Sequence, residues 1–238
     1  MNESFSKIID KISEALNFFD FSFIVSGGLT FSVIFVTIDF LNIPLLLLNS
    51  ISTPVKIIAC IGAIYICGLI SFAGGKSIRL YFLYKLDSKR GFSPIFIEAL
   101  KFIKKYDETT ATEVDSFIHK DSDTLKLYYT RMWMELRHCA NAEATIKLLN
   151  RFWVMQAVFE GLYFSFILAL ICSTVLMLIV NHSFMIGIVI AFFCIWFCYK
   201  EAQRYAETQI NEIVIAYKKF ILNGNREQEN NRTETLAV

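Results

Sequence analysis

The sequence predicts an all-α, polytopic membrane protein. It has four transmembrane helices, an N-terminal amphipathic helix and a helical cytoplasmic domain between spans two and three. Three observations carry this. Hydrophobic residues make up 55% of the 238 and charged residues only 19%, below the quarter or so usual for soluble domains. The missing charge is cleared from long blocks: Asp39 is the only charge between Asp20 and Lys56, and none falls between Lys56 and Lys76 or between Glu160 and Lys200. Residues 76–156, which carry charge throughout, show no strand-like alternation of useful length.

In chain order, residues 1–20 place Phe5, Ile8, Ile9, Ile12, Leu16 and Phe19 at spacings of three and four. That pattern is an amphipathic helix, lying in the membrane interface or packed on the cytoplasmic domain. Glu3, Asp10, Glu14 and Asp20 argue against a cleavable signal peptide, whose start is basic. A span needs about 20 apolar residues, and residues 21–38 and 55–75 each supply one. Together they form a hairpin over 21–75. Residues 40–49 are too short to span and contain Pro44. They either prolong span one past a kink or lie at the outer interface. Thr53 caps span two, with Pro54 at the first helical position.

Within 76–156, Ser93-Pro94 opens a helix to about Lys105, and Thr112 with Asp115 opens a short one to about His119. A third runs from about Ser122 to Cys139, with Leu125, Tyr128, Tyr129, Met132 and Leu136 on one face. Asn141 then caps a helix that continues unbroken into span three. The 39 residues of 161–199 are too long for one span and are broken at Asn181-His182-Ser183. They make a second hairpin over 157–200, with spans near 158–180 and 184–200. Span four runs on through a cytoplasmic helix over 201–224, stopped by Asn223-Gly224, and residues 225–238 read as a disordered tail.

Lys and Arg set the orientation. They crowd after span two, from Lys76 and Arg79 onward, before span three at Arg151, and after span four at Lys200 and Arg204, whereas 49–54 carry no charge, with Lys56 just inside, and 181–183 carry only His182. Both termini and 76–156 are therefore expected on the cytoplasmic side of a cell membrane, that of a bacterial inner membrane. Five of the six cysteines (Cys60, Cys67, Cys172, Cys194 and Cys198) fall in spans and Cys139 in the cytoplasmic segment, so they read as small hydrophobes rather than disulfides.

Small residues recur every fourth position. Span two carries Ala59, Ala63, Cys67, Ser71 and Gly75; span three carries Gly161, Ser165, Ala169 and Ser173; span one carries Ser22, Ser26 and Thr30. Such ridges let helix backbones approach closely in lipid. Spans two and three are expected to pack groove to groove, within one chain or between copies; the alternative is that the ridges line a pore.

Chemistry is sparse. No phosphate-binding glycine loop, nucleophile elbow or metal-spaced histidine pair is present, and no cofactor is expected. The densest reactive cluster is Glu135, His138 and Cys139, for which helix surface is the simpler reading; His119 and His182 are remote from it in sequence. Glu160 sits near the inner end of span three. The segment 76–156 holds 14 Lys or Arg against 10 Asp or Glu. Nucleic acid, nucleotide or anionic lipid would suit that excess, though the basic residues crowd beside the spans, where orientation explains them.

Paired spans around a small helical domain resemble accessory membrane proteins of bacterial defence or toxin-immunity loci. The likeness is one of architecture rather than motifs, and fold alone does not give function. The expected function is a non-enzymatic, homo-oligomeric membrane component whose cytoplasmic helices bind a protein partner or signal. The alternative is an oligomeric ion channel or membrane-permeabilising pore.

Overall fold

The structure, a computed structural model, describes residues 18–43, 52–86, 91–106 and 121–222. Helix makes up 95% of it and, among the described residues, no strand occurs, which fixes the all-α class. The described residues form six α-helices: α1 Phe18–Phe40, α2 Thr53–Leu86, α3 Phe92–Tyr106, α4 Ser122–His138, α5 Glu143–Ile179 and α6 Met185–Tyr217. Four of them, α1, α2, α5 and α6, are long and apolar enough to cross a membrane. Most of the expected amphipathic helix, the short helix after Thr112, residues 44–49 and the tail lie outside the described residues.

The ends of these helices follow local chemistry. Helix α1 stops at Phe40 through a Schellman turn. Asn42 takes the left-handed conformation (φ 51°), its N–H donates to the Asp39 carbonyl at 3.0 Å, and the Ile43 N–H donates to the Ile38 carbonyl at 3.1 Å. Helix α1 itself therefore ends at residue 40. Helix α2 begins one residue earlier than expected. Thr53 is already helical and the Lys56 N–H bonds to the Ser52 carbonyl at 3.1 Å, so Ser52, not Thr53, is the cap. Nor does α2 stop near Gly75; it continues to Leu86. Asn141 is not a cap either. It lies inside a 3-10 turn, Ala140–Ala142, that leads into α5. The break in the second hairpin is where the polar residues put it: the Asn181 side chain accepts the Ser183 N–H at 3.1 Å ahead of a 3-10 turn at His182–Phe184. Helix α6 closes in a π-turn at Lys218–Leu222.

The chain divides into two compact units, the first from Met1–Arg79 and Val154–Gln203, the second from Leu80–Trp153 and Arg204–Val238. The divisions fall inside α2, α5 and α6 rather than at their ends.

In the first unit, α1 crosses α2 where glycines leave room for backbone. A Cβ at Gly27 would collide with the Ile64 carbonyl, and one at Gly68 with the Phe23 carbonyl. The Phe23 ring packs edge-on to Tyr65 and Phe72, with centroids 5.9 and 5.6 Å apart. Such contact, without much apolar area to remove from water, is what holds helices together in lipid. The second unit has an ordinary core. Phe96 and Leu100 of α3, Leu125, Met132 and Leu136 of α4, Leu149 of α5, and Ile213 and Val214 of α6 are all buried. Helix α4 is fixed at its start by Asp121, whose side chain accepts the Thr124 N–H.

Glycine substitutions separate the tight crossing from open lipid-facing surface. Gly68→Val should lower stability by about 1–3 kcal/mol through overpacking, read as the unfolding midpoint in detergent. Gly62→Ala, where nothing lies within 4 Å of the added atom, should leave that midpoint unchanged or raised.

Candidate functional site

Two polar layers lie inside the otherwise apolar first unit. The first is a junction of hydroxyls. Thr30 Oγ1 of α1 lies 2.7 Å from both Ser71 Oγ of α2 and Ser165 Oγ of α5. Ser165 also donates within reach of the Gly161 carbonyl at 2.9 Å and the Ser26 carbonyl at 3.1 Å, and Ser71 of the Cys67 carbonyl at 2.7 Å. Three protons suffice: Ser71 donates to Thr30, Thr30 to Ser165, and Ser165 to a carbonyl. Ser22, Ser26, Thr30, Ser71 and Ser165 are all buried, so each hydroxyl needs such a partner in a medium without water.

The small-residue ridges meet unevenly here. Ser71 and Gly75 are buried, Ala63 and Cys67 half-buried and Ala59 exposed. On α5, Gly161 and Ser165 face α1, since a Cβ on Gly161 would sit 2.6 Å from Ser26. Ser173 instead faces Gly187 of α6, and Ala169 is half-buried. Spans two and three do touch, for a Cβ on Gly75 would strike the Glu160 carbonyl. Span one joins them through Thr30, making a three-way junction rather than a two-helix groove.

The second layer is charged. Arg79 and Glu160, 5% and 1% exposed, form an ion pair in which Arg79 Nη2 and Nε lie 2.6 and 2.9 Å from Glu160 Oε1. The same oxygen accepts from Gln156 Nε2 at 2.8 Å, and Arg79 Nη1 donates to Gln203 Oε1 at 3.0 Å. Helices α2, α5 and α6 are thus joined at one point. Arg79, read from sequence as one of the flanking basic residues, is instead inside. The signal was available, because the four-residue ridge that ends at Gly75 reaches Arg79 at its next step, and Glu160 is the last charge before a block of 39 residues without one. Both charges are neutralised in place, so the chemistry of this cluster is that of a lock between helices.

In the second unit, the three residues of the densest reactive cluster do not act together. His138 Nδ1 contacts the Met134 carbonyl at 2.7 Å, a bond within its own helix. Glu135 accepts from Arg131 Nε at 2.6 Å and from the Tyr217 hydroxyl at 2.8 Å. Cys139 is half-buried and all six cysteines are free. Burial works to raise the Glu135 carboxyl, but the bonds from Arg131 and Tyr217 outweigh it and hold the carboxyl below its usual range. A groove of about 520 Å³ opens between α3 and α6, lined by Ile95, Ala99, Phe102 and Ile215 with Glu98, Glu207 and Asn211 as its polar groups. Among the described residues, no group of three or more His, Cys, Asp or Glu could hold a metal ion. His182 lies in the turn before α6, and His119 is outside the described residues.

Removing one partner of the buried pair should be costly. Arg79→Met or Glu160→Leu alone should destabilise by about 3–5 kcal/mol, whereas the double variant should recover most of that loss, measured as a double-mutant cycle of unfolding in detergent. Glu135 gives a pH test. Its carboxyl titrates below the ordinary value of 4.5 when folded, so the unfolded chain binds the proton first. The contribution is present above that ordinary value and is lost as pH falls through the folded one. Glu135→Gln should flatten the acid limb of the stability profile of the second unit.

Comparison of the chain with protein-family models, with curated proteins and with solved structures finds no match.

Proposed function

We propose that the chain is a non-enzymatic integral membrane component that assembles with copies of itself and binds a protein partner or signal through its charged helices. The observation behind this reading is how little the spans bury in one copy. Only 11–28% of the most apolar stretch of each span is buried. Large side chains such as Ile58, Ile66, Leu178, Ile186 and Phe193 point outward. The buried hydroxyls and the buried ion pair bond to neighbouring side chains and carbonyls of the bundle. The excess of Lys and Arg beside the spans supports a topology with both termini and residues 76–156 in the cytoplasm. A bacterial inner membrane, and a place in a defence or toxin-immunity locus, rest on architectural likeness alone.

A second reading, an oligomeric pore or channel, is favoured by one feature. Ser22, Ser26, Thr30, Ser71 and Ser165 make a polar seam through the bundle that ends at Arg79 and Glu160. The hydrogen bonds that close this seam would have to open for anything to pass.

Purified protein in nanodiscs should sediment as an oligomer, and photo-crosslinkers placed across residues 76–156 should capture one discrete cellular protein. A monomer that captures nothing would sink the first reading. Planar bilayers separate the second, which expects conductance that Thr30→Val alters; silent membranes under all voltages and salts would remove it.

A further inference from the structure

We propose that Phe72 and Lys76 of α2, with Trp196 and Lys200 of α6, form one collar at the lipid-headgroup level that binds anionic phospholipid. The inference starts from register. Helices α2 and α6 both run opposite to α5. From Phe164 to Glu160 along α5 the contacts on α2 advance from Gly74 to Arg79, and from Ser173 to Phe159 those on α6 advance from Gly187 to Phe197. The two helices therefore run in the same direction, and the Arg79–Gln203 hydrogen bond puts those two residues at one level. Counting back three residues on each helix reaches Lys76 and Lys200. Counting back seven reaches Phe72 and Trp196. The same aromatic–lysine pair, four residues apart, thus occurs twice at the same height.

Both pairs have the same geometry. Lys76 Nζ lies 5.8 Å from the centre of the Phe72 ring, and Lys200 Nζ lies 6.0 Å from that of Trp196, within cation–π range. Both lysines are exposed, and among the described residues neither forms an ion pair with a carboxylate. Of the nearby acids, Glu160 is already occupied by Arg79, and Glu201, the residue after Lys200, projects from α6 about 100° around the helix from it. An ammonium beside an apolar span settles where its charge meets water and phosphate, with its stem along the hydrocarbon. Trp196, 59% exposed, sits one turn toward the apolar stretch, the depth at which indole rings anchor spans. Two uncompensated positive charges at one level, each backed by a ring, match a phosphate of a lipid that carries net negative charge better than a zwitterionic headgroup, whose own ammonium they repel.

The inference rests on the spans lying in a bilayer, and the experiment separates the two. The full chain is purified with equal neutral phosphatidylcholine and anionic phosphatidylglycerol, and retained lipid is counted by native mass spectrometry. Wild type should retain phosphatidylglycerol preferentially. Lys76→Gln and Lys200→Gln should each lower that preference about fivefold, and together about 30-fold, whereas Lys126→Gln, whose lysine pairs with Asp123, should not. In parallel, a Trp133→Phe/Trp153→Phe chain, which keeps only Trp196, is placed in vesicles brominated near the glycerol or near the acyl terminus. Quenching should be stronger from the shallow bromine. No lipid preference in wild type, an unchanged preference in the Lys76→Gln/Lys200→Gln chain, or stronger quenching from the deep bromine would each overturn the collar while leaving the spans in the bilayer. A chain that stays in the aqueous phase and is quenched by neither would overturn the membrane reading along with it.

Discussion

A polar group removed from water must find its partner inside the protein, and that constraint governs the first unit. Helical backbone satisfies itself, so the only groups left are side chains. Each buried one is accounted for: Thr30, Ser71 and Ser165 hand protons along a short chain to carbonyls, and Arg79 neutralises Glu160 with Gln156 and Gln203 filling the remaining positions. These bonds work only if the helices stand at one rotation and one height. Glycine makes that possible at Gly27, Gly68 and Gly75, where any side chain would meet a neighbouring carbonyl.

The ion pair adds little raw stability, because taking two charges out of water costs roughly what their attraction returns. Its value is in specification. Apolar ridges slide past one another by a turn at small cost, whereas a displaced Arg79 or Glu160 is left as a buried charge without its partner. The bonds from Arg79 of α2 to Glu160 of α5 and to Gln203 of α6 fix the register of three helices, and the same register aligns Lys76 with Lys200.

The second unit obeys the opposite solvent. Its helices are amphipathic, and their apolar faces (Phe96 and Leu100, Leu125 and Leu136, Ile213 and Val214) collapse together because water excludes them. The polar contacts there, such as Arg131 and Tyr217 on Glu135, lie toward the surface and adjust to solvent. Two regimes of folding therefore share three continuous helices, and the division falls inside α2, α5 and α6 where charge returns to the sequence.

The number and places of the spans were legible because charge and length are one-dimensional properties: a block without charge that is long enough to cross lipid declares itself in order along the chain. The turn at Asn181 and the buried face of Leu125, Met132 and Leu136 were legible for the same reason, being set by neighbours within a few residues. Which ridge meets which was not. Ser173 turned to α6 while Ser165 met α1, and Thr30 entered between two spans expected to pair alone. Arg79 read as a flanking charge because its partners lie 81 and 124 residues away. Sequence by itself determined which segments are long and apolar enough to cross a membrane; only the tertiary structure decided which polar groups satisfy one another, since that depends on the rotation and height of whole helices, which no local spacing records.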